Sequence, residues 1–139
     1  MTGKWAQSLV KLSAYEVETL QKRLADIAEQ RGQVEIRLAM MQAEGEAEQA
    51  LAAQDPQNAW RIVGYMEALK LRMDEVRQDL YMLQLEEQGA RDALARAFET
   101  QKKYEQVVEQ AQVLALREAG RRETAQMDEL GLRKVAAAR

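Results

Sequence analysis

Residues 59–111 read AWRIVGYMEALKLRMDEVRQDLYMLQLEEQGARDALARAFETQKKYEQVVEQA. Ala59, Ile62, Met66, Leu69, Met73, Val76, Leu80, Leu83, Glu87, Ala90, Leu94, Ala97, Gln101, Tyr104, Val108 and Ala111 recur there at steps of three and four without a break. Only Glu87 and Gln101 are polar. Apolar residues at a mean spacing of 3.5, sustained for about seven heptads, form a coiled-coil seam. A single helix cannot bury such a stripe, so the stretch requires a partner helix.

The partner lies upstream. Trp5, Leu9, Leu12, Leu20, Leu24, Ile27, Val34, Leu38 and Met41 form the facing seam, with Arg31 as its polar exception. Between Leu9 and Leu20 the pattern takes an 11-residue step through Glu16, which reads as a stutter that locally unwinds the supercoil. Thr2 and Ser8 are candidate caps for this first helix, and residues 1–4 are expected to fray. Gly32 and Gly45 weaken it by up to about 1 kcal/mol each relative to Ala. The one break is Gln54-Asp55-Pro56-Gln57-Asn58, which holds the only proline. Proline disfavours helical geometry in the residue before it and suits the first turn of a new helix. Asp55 is the preferred cap and Asn58 the other candidate.

The expected fold is therefore all-α: a single coiled-coil domain, residues 1–139, forming a long antiparallel two-helix hairpin. Helix 1 spans about 4–52, the turn 53–58, and helix 2 about 58–136. At 1.5 Å per residue the helices are roughly 75 and 120 Å long, so helix 2 overhangs helix 1. Folding about Pro56 brings residue i near residue 111 − i, give or take a turn. Met41 then meets Leu69 or Met73, Ile27 meets Leu83, Leu9 meets Gln101, and Trp5 lies near Tyr104. Glu87 falls near Leu24 within reach of Arg23, as a polar contact that sets register, and Arg31 reads the same way. Large residues fill the seam from Ile62 to Leu83, so the end near the turn is expected to hold tightest.

Beyond about Gln112 helix 2 has no partner left. The heptad frame there places Glu118, Arg122 and Glu129 on the seam, and Met127, Leu130, Leu132 and Val135 no longer follow it. An unpaired extension of that length is marginal in water. It is disordered or ordered by something else. Arg117, Arg121, Arg122, Arg133 and Lys134 cluster on it, interleaved with Glu118, Glu123, Asp128 and Glu129. Mixed charge of this kind suits a protein partner or a solvated face better than nucleic acid, which prefers an uncompensated basic strip. Leu71, Met82 and Leu85 share the face of helix 2 opposite its seam, with Trp60, Val63 and Tyr65 beside the turn. They form a second candidate contact surface.

Composition narrows the chemistry. The chain has no Cys and no His, which removes disulfides, thiolate and imidazole metal sites, and Ser-His or Cys-His catalytic arrangements. The adjacent carboxylates Glu86 and Glu87 point about 100° apart on a helix and cannot flank one substrate. The glycines are scattered and form no phosphate loop. Glu44, Glu46 and Glu48 read as a solvated face. The net charge of −3 argues against nucleic acid, and no apolar run approaches a membrane span or a signal peptide. No cofactor, metal or small-molecule substrate is expected.

Three stretches resemble the flagellar export protein FliJ family. Lys4-Trp5-Ala6-Gln7-Ser8-Leu9 through Leu24 is similar to the N-terminal helix of alphaproteobacterial members. Tyr65-Met66-Glu67-Ala68-Leu69 with Met73 resembles the family's aromatic and aliphatic pattern near the hairpin tip. Glu123-Thr124-Ala125-Gln126-Met127-Asp128-Glu129 followed by Arg133-Lys134 resembles its acidic-basic C-terminal motif. The chain departs at Gln42 to Glu48, where many members carry tyrosines, and at Gly131, where Ala or Ser is usual.

The resemblance implies a non-enzymatic, stalk-like part of the type III export apparatus. It would insert its paired termini into the hexameric flagellar export ATPase, and it would engage the cytoplasmic domain of the export gate and substrate chaperones. It would reside in the cytoplasm, peripherally at the inner membrane. Arg117, Arg121, Arg122, Met127, Asp128, Glu129, Leu130 and Arg133 would meet the ATPase. Trp60, Tyr65, Leu71, Met82 and Leu85 would form the tip and outer-face surface. The alternatives are an injectisome-type secretion stalk, a generic coiled-coil adaptor or structural dimer whose helix-2 seam pairs with another chain, and, last, an enzyme.

Overall fold

The computed structural model describes the backbone of residues 2–138 and the side chains of residues 4–138. Helix α1 runs Thr2–Gln54 and helix α2 runs Trp60–Ala138, joined by a 3-10 turn at Pro56–Asn58. The described residues form a helical hairpin with no strand. Both helices extend about two residues beyond the expected outer ends. The side chain of Thr2, one candidate cap, lies outside the described residues. Ser8 is not a cap: its hydroxyl donates back to the Lys4 carbonyl at 3.0 Å from within the helix.

The reversal is tighter than a simple cap. Asp55 precedes the 3-10 turn with φ −130° and ψ 83°, and Pro56 opens it, as proline's missing N–H allows. The Asp55 carboxylate caps no backbone N–H; it accepts from the Asn58 side-chain amide at 2.8 Å. Main-chain bonds from Asp55 to Ala52, Asn58 to Asp55, Ala59 to Pro56 and Ile62 to Ala59 span three residues each. Such bonds satisfy the groups left open at helix ends. Helix α2 therefore begins at Trp60, two residues later than the Asn58 start expected from the cap pattern.

Contacts group the chain into two units, residues 18–95 and residues 1–17 with 96–139. In the first unit the α2 seam is as expected. Leu69, Met73, Val76, Glu87 and Ala90 are buried. Ile62, Met66, Leu80, Leu83 and Leu94 are half-buried. Opposite them Ile27 is buried, and Leu20, Leu24, Arg31, Val34, Leu38 and Met41 are half-buried. Leu69, at 2% exposure, is the largest fully buried side chain. Full burial of such a side chain contributes roughly 1.5–3 kcal/mol.

Gly45 extends the α1 seam by another turn and is buried. A Cβ added there would stand 2.7 Å from Leu69 Cδ2. The glycine therefore opens the hole that Leu69 fills, and its cost in helix propensity is offset by close packing. Gly32 has open space around its Cβ position.

Gly45 facing Leu69 sets a register about three residues from the one obtained by folding at Pro56. Continuing it places Glu87 opposite Ile27. The Glu87 carboxylate nevertheless accepts from Arg31 Nε at 2.5 Å, and from Arg91 at 2.8 Å. Arg23, the partner expected from sequence, is exposed, and Arg31 makes the contact in its place. The reason is the tilt of helical side chains toward their own N-terminus. In antiparallel helices that tilt leans Arg31 and Glu87 toward each other, whereas Arg23 would have to lean backwards. Arg31 also donates to Glu35 at 3.0 Å. The hydrogen bond to Glu87, then that to Glu35, raises the Arg31 pKa above its already high ordinary value. That guanidinium stays charged through the neutral and mildly alkaline range.

In the second unit the helix-1 expectation needs correction. Trp5, Leu12 and Glu16 do not lie on the seam; Trp5 and Leu12 are 56% and 64% exposed. Ala6, Ser13 and Val17 are buried instead, with Leu9 and Val10 half-buried. These residues continue the three-four alternation of Leu20 and Leu24 toward the N-terminus, so there is no stutter. Small side chains carry the seam here, against buried Ala97 and half-buried Thr100, Gln101, Tyr104, Val108 and Ala111. The buried Ser13 hydroxyl donates to the Val10 carbonyl at 2.8 Å, so its polarity is satisfied within the helix.

Candidate functional site

Past Ala111 every described residue of α2 is exposed, and the segment remains helical through Ala138. It does not fold back on its own unit. Val113, Leu114, Leu116, Met127, Leu130, Leu132 and Val135 are all exposed, from 41% at Val113 to 74% at Leu116. They have little local support: Arg133 pairs with Glu129 at 3.1 Å, and Thr124 donates to the Gly120 carbonyl at 2.9 Å.

Helical geometry sorts the ATPase-contact candidates into three strips. Arg117, Arg121 and Asp128 line one shallow hollow with Gly120, Thr124 and Ala125. Arg122, Glu129 and Arg133 share a second strip, continuing the line of the paired seam. Met127 and Leu130 fall on a third, with Val113 and Leu116. That apolar strip lies on the side of the helix turned away from the seam. Val113 and Leu116 were not singled out from the sequence. Their signal is the spacing of Val113, Leu116, Gly120 and Met127 at steps of three, four and seven, shifted in phase from the seam.

In the same unit, Trp5, Leu12 and Tyr15 form an exposed strip on α1 with Ser8 at the intervening step. Sequence reasoning assigned two of these residues to the seam and so missed the surface.

The tip surface lies in the other unit. Trp60 is 71% exposed, and the Arg61 guanidinium stacks 5.3 Å from its ring centroid. Tyr65 is half-buried and lines a cleft of about 300 Å³ with Leu51, Ala52, Asp55, Asn58 and Ile62. Leu71, Met82 and Leu85 are exposed on the outer face of α2. Tyr65 therefore belongs to the cleft between the helices and is separate from that face. On α1, Met40 and Leu51 are exposed, one on each side of the Gln42 to Glu48 segment.

Among the described residues no cluster of acidic side chains is arranged to hold a metal, and no helix is long and apolar enough to cross a membrane. What the geometry offers is surface: two arrays of exposed apolar and charged side chains carried on the helices.

A hairpin of two long helices, one continuing uncovered past the end of the other's seam, defines a coiled-coil scaffold class. Within that class the sequence has clear relatives. It is 50% identical over 133 residues to the flagellar FliJ protein of Caulobacter vibrioides strain NA1000 / CB15N, covering 96% of both chains. The flagellar FliJ protein of strain ATCC 19089 / CIP 103742 / CB 15 matches to the same extent. The chain belongs to the FliJ family. No protein-family model matches it, and no solved structure does.

Proposed function

We propose that this chain is a non-enzymatic component of the flagellar type III protein export apparatus, a stalk-like coiled coil that binds and stimulates the hexameric export ATPase. Residues 112–138 make the ATPase contact, through Arg117, Arg121, Arg122, Met127, Asp128, Glu129, Leu130 and Arg133. The tip and outer face, with Trp60, Tyr65, Leu71, Met82 and Leu85, meet the export gate and substrate chaperones. The protein works in the cytoplasm, held peripherally at the inner membrane by the apparatus.

One observation carries the ATPase assignment. The described residues beyond Ala111 are exposed, yet Val113, Leu116, Met127, Leu130 and Val135 are apolar. A helix terminus of that length with no tertiary cover draws little stability from propensity alone. A ring-shaped protein partner supplies the missing apolar and charged contacts. The name carried by the relatives favours the flagellar machine over an injectisome. The seam of α2 is closed by α1 of the same chain, as the contacts of Leu69 with Gly45 and of Glu87 with Arg31 require. That removes the reason for pairing this seam with a second chain.

The test is stimulation of the purified export ATPase by the full chain and by a chain ending at Gln112. The full chain is expected to bind and stimulate. The shortened chain is expected to lose stimulation while melting as a hairpin at nearly the same temperature, since no seam residue is removed. Full stimulation by the shortened chain contradicts the assignment.

A further inference from the structure

Within residues 18–95 the apolar seam repeats every seven residues on both helices. Sliding α1 against α2 by seven therefore sets apolar residues against apolar residues again. Something other than the hydrophobic pattern has to select one register. We propose that Glu87, clamped between Arg31 and Arg91, is the lock that selects this register of the hairpin over those slid by one heptad.

Glu87 occupies a seam position and its side chain is only 8% exposed. Its two carboxylate oxygens are divided between the helices: Oε2 accepts from Arg31 on α1 and Oε1 from Arg91 on α2. Arg91 stands four residues from Glu87 on the same helix and accompanies it in any register. Arg31 does not. A slide of seven in one direction aims Arg31 at Leu80 and sets Glu87 beside Leu20. A slide in the other direction aims Arg31 at Leu94 and sets Glu87 beside Val34. Either strands half of a buried carboxylate among aliphatic side chains, which is costly for a charged group. In the observed register no buried side-chain oxygen or nitrogen among the described residues lacks a partner. A single polar residue at a core position of a coiled coil fixes register in this way, at some cost in stability. Arg31 keeps Glu35 as a partner if Glu87 is lost, so the lock can be removed without stranding the cation.

The chain has no cysteine, so spin labels can be placed cleanly. Gln30→Cys and Lys70→Cys are suitable, both positions being exposed on opposite helices and offset along the axis. A slide of one heptad moves these labels by about 10 Å along the axis, at 1.5 Å per residue. Double electron-electron resonance on the labelled full-length chain is expected to give one distance population. In the Glu87→Leu background a second population, displaced by about 10 Å, is expected, with the melting temperature unchanged or raised. Arg31→Leu with Glu87→Leu, which makes the layer wholly apolar, is expected to behave likewise. A single unshifted distance in both folded variants overturns the proposal, because the register is then held by the turn or by the Gly45 hole. Failure of both variants to fold also overturns it, because the cluster then maintains the fold and does not choose among registers.

Discussion

Leu69 and Leu116 lie on the same helix, yet Leu69 is 2% exposed and Leu116 is 74% exposed. Both sit in stretches rich in apolar residues. From Ile62 to Leu83 those residues fall in phase with the α1 seam and are covered. From Val113 to Val135 most of them fall out of that phase, where the α1 seam has ended, and all remain open. Hydrophobic content alone does not separate a covered segment from an open one; its phase and its partner do. Stability and recognition are therefore expected to respond to different mutations along one continuous helix.

The sharpest way to break this comparison is to truncate equivalent side chains. Leu69→Ala is expected to destabilise the hairpin by about 2–5 kcal/mol, the range for emptying a well-packed site. Leu116→Ala or Leu130→Ala is expected to stay within about 0.5 kcal/mol, as for exposed positions. Urea unfolding followed by circular dichroism reads both. A large loss at Leu116 or Leu130 shows that the segment is structural.

A smaller effect tests the small-residue seam of residues 1–17 against 97–111. Ala6→Leu is expected to cost about 1–3 kcal/mol by overpacking. Leu12→Ala, on the open strip, is expected to change melting little. The opposite ranking restores Trp5 and Leu12 to the seam. A finer contrast comes from two glycines of α1. Gly32→Ala is expected to stabilise by up to about 1 kcal/mol, since its Cβ meets nothing. Gly45→Ala gains nothing net in thermal melts, because the new methyl displaces Leu69.

Much of this division was legible in the sequence, for identifiable reasons. The α2 seam was readable residue by residue because large aliphatic side chains occupy it in an unbroken alternation. The N-terminal seam of α1 was not. There Ala6 and Ser13 do the packing while Trp5 and Leu12, larger and more apolar, lie one step away in phase. Size outweighed period in the reading, and a spurious stutter followed. The presence of a polar contact at Glu87 was legible, but its partner was not. Choosing Arg31 over Arg23 required the direction in which helical side chains lean, in addition to the register. The open segment followed from helix lengths alone. Its apolar strip on Val113, Leu116 and Met127 was missed because the seam frame had been carried past the point where it has meaning.

The ATPase contact proposed for the open segment would carry an ionic component, which salt resolves. Changing Arg121 and Arg122 to Glu is expected to weaken ATPase binding more at low than at high ionic strength, since exposed charges are screened over about 10 Å at 0.1 M. Binding that is equally weak at all salt concentrations would assign the loss to shape.

Hydrogen exchange on the full chain, alone and with the export ATPase hexamer, tests the division of labour most directly. Alone, residues 112–138 are expected to exchange fastest within the described helices, since their backbone bonds have no tertiary cover. With the ATPase they are expected to become protected, while residues 62–83 remain slow in both states. Exchange in residues 112–138 that is unchanged by the ATPase, with protection confined to residues 60–85, would contradict the account.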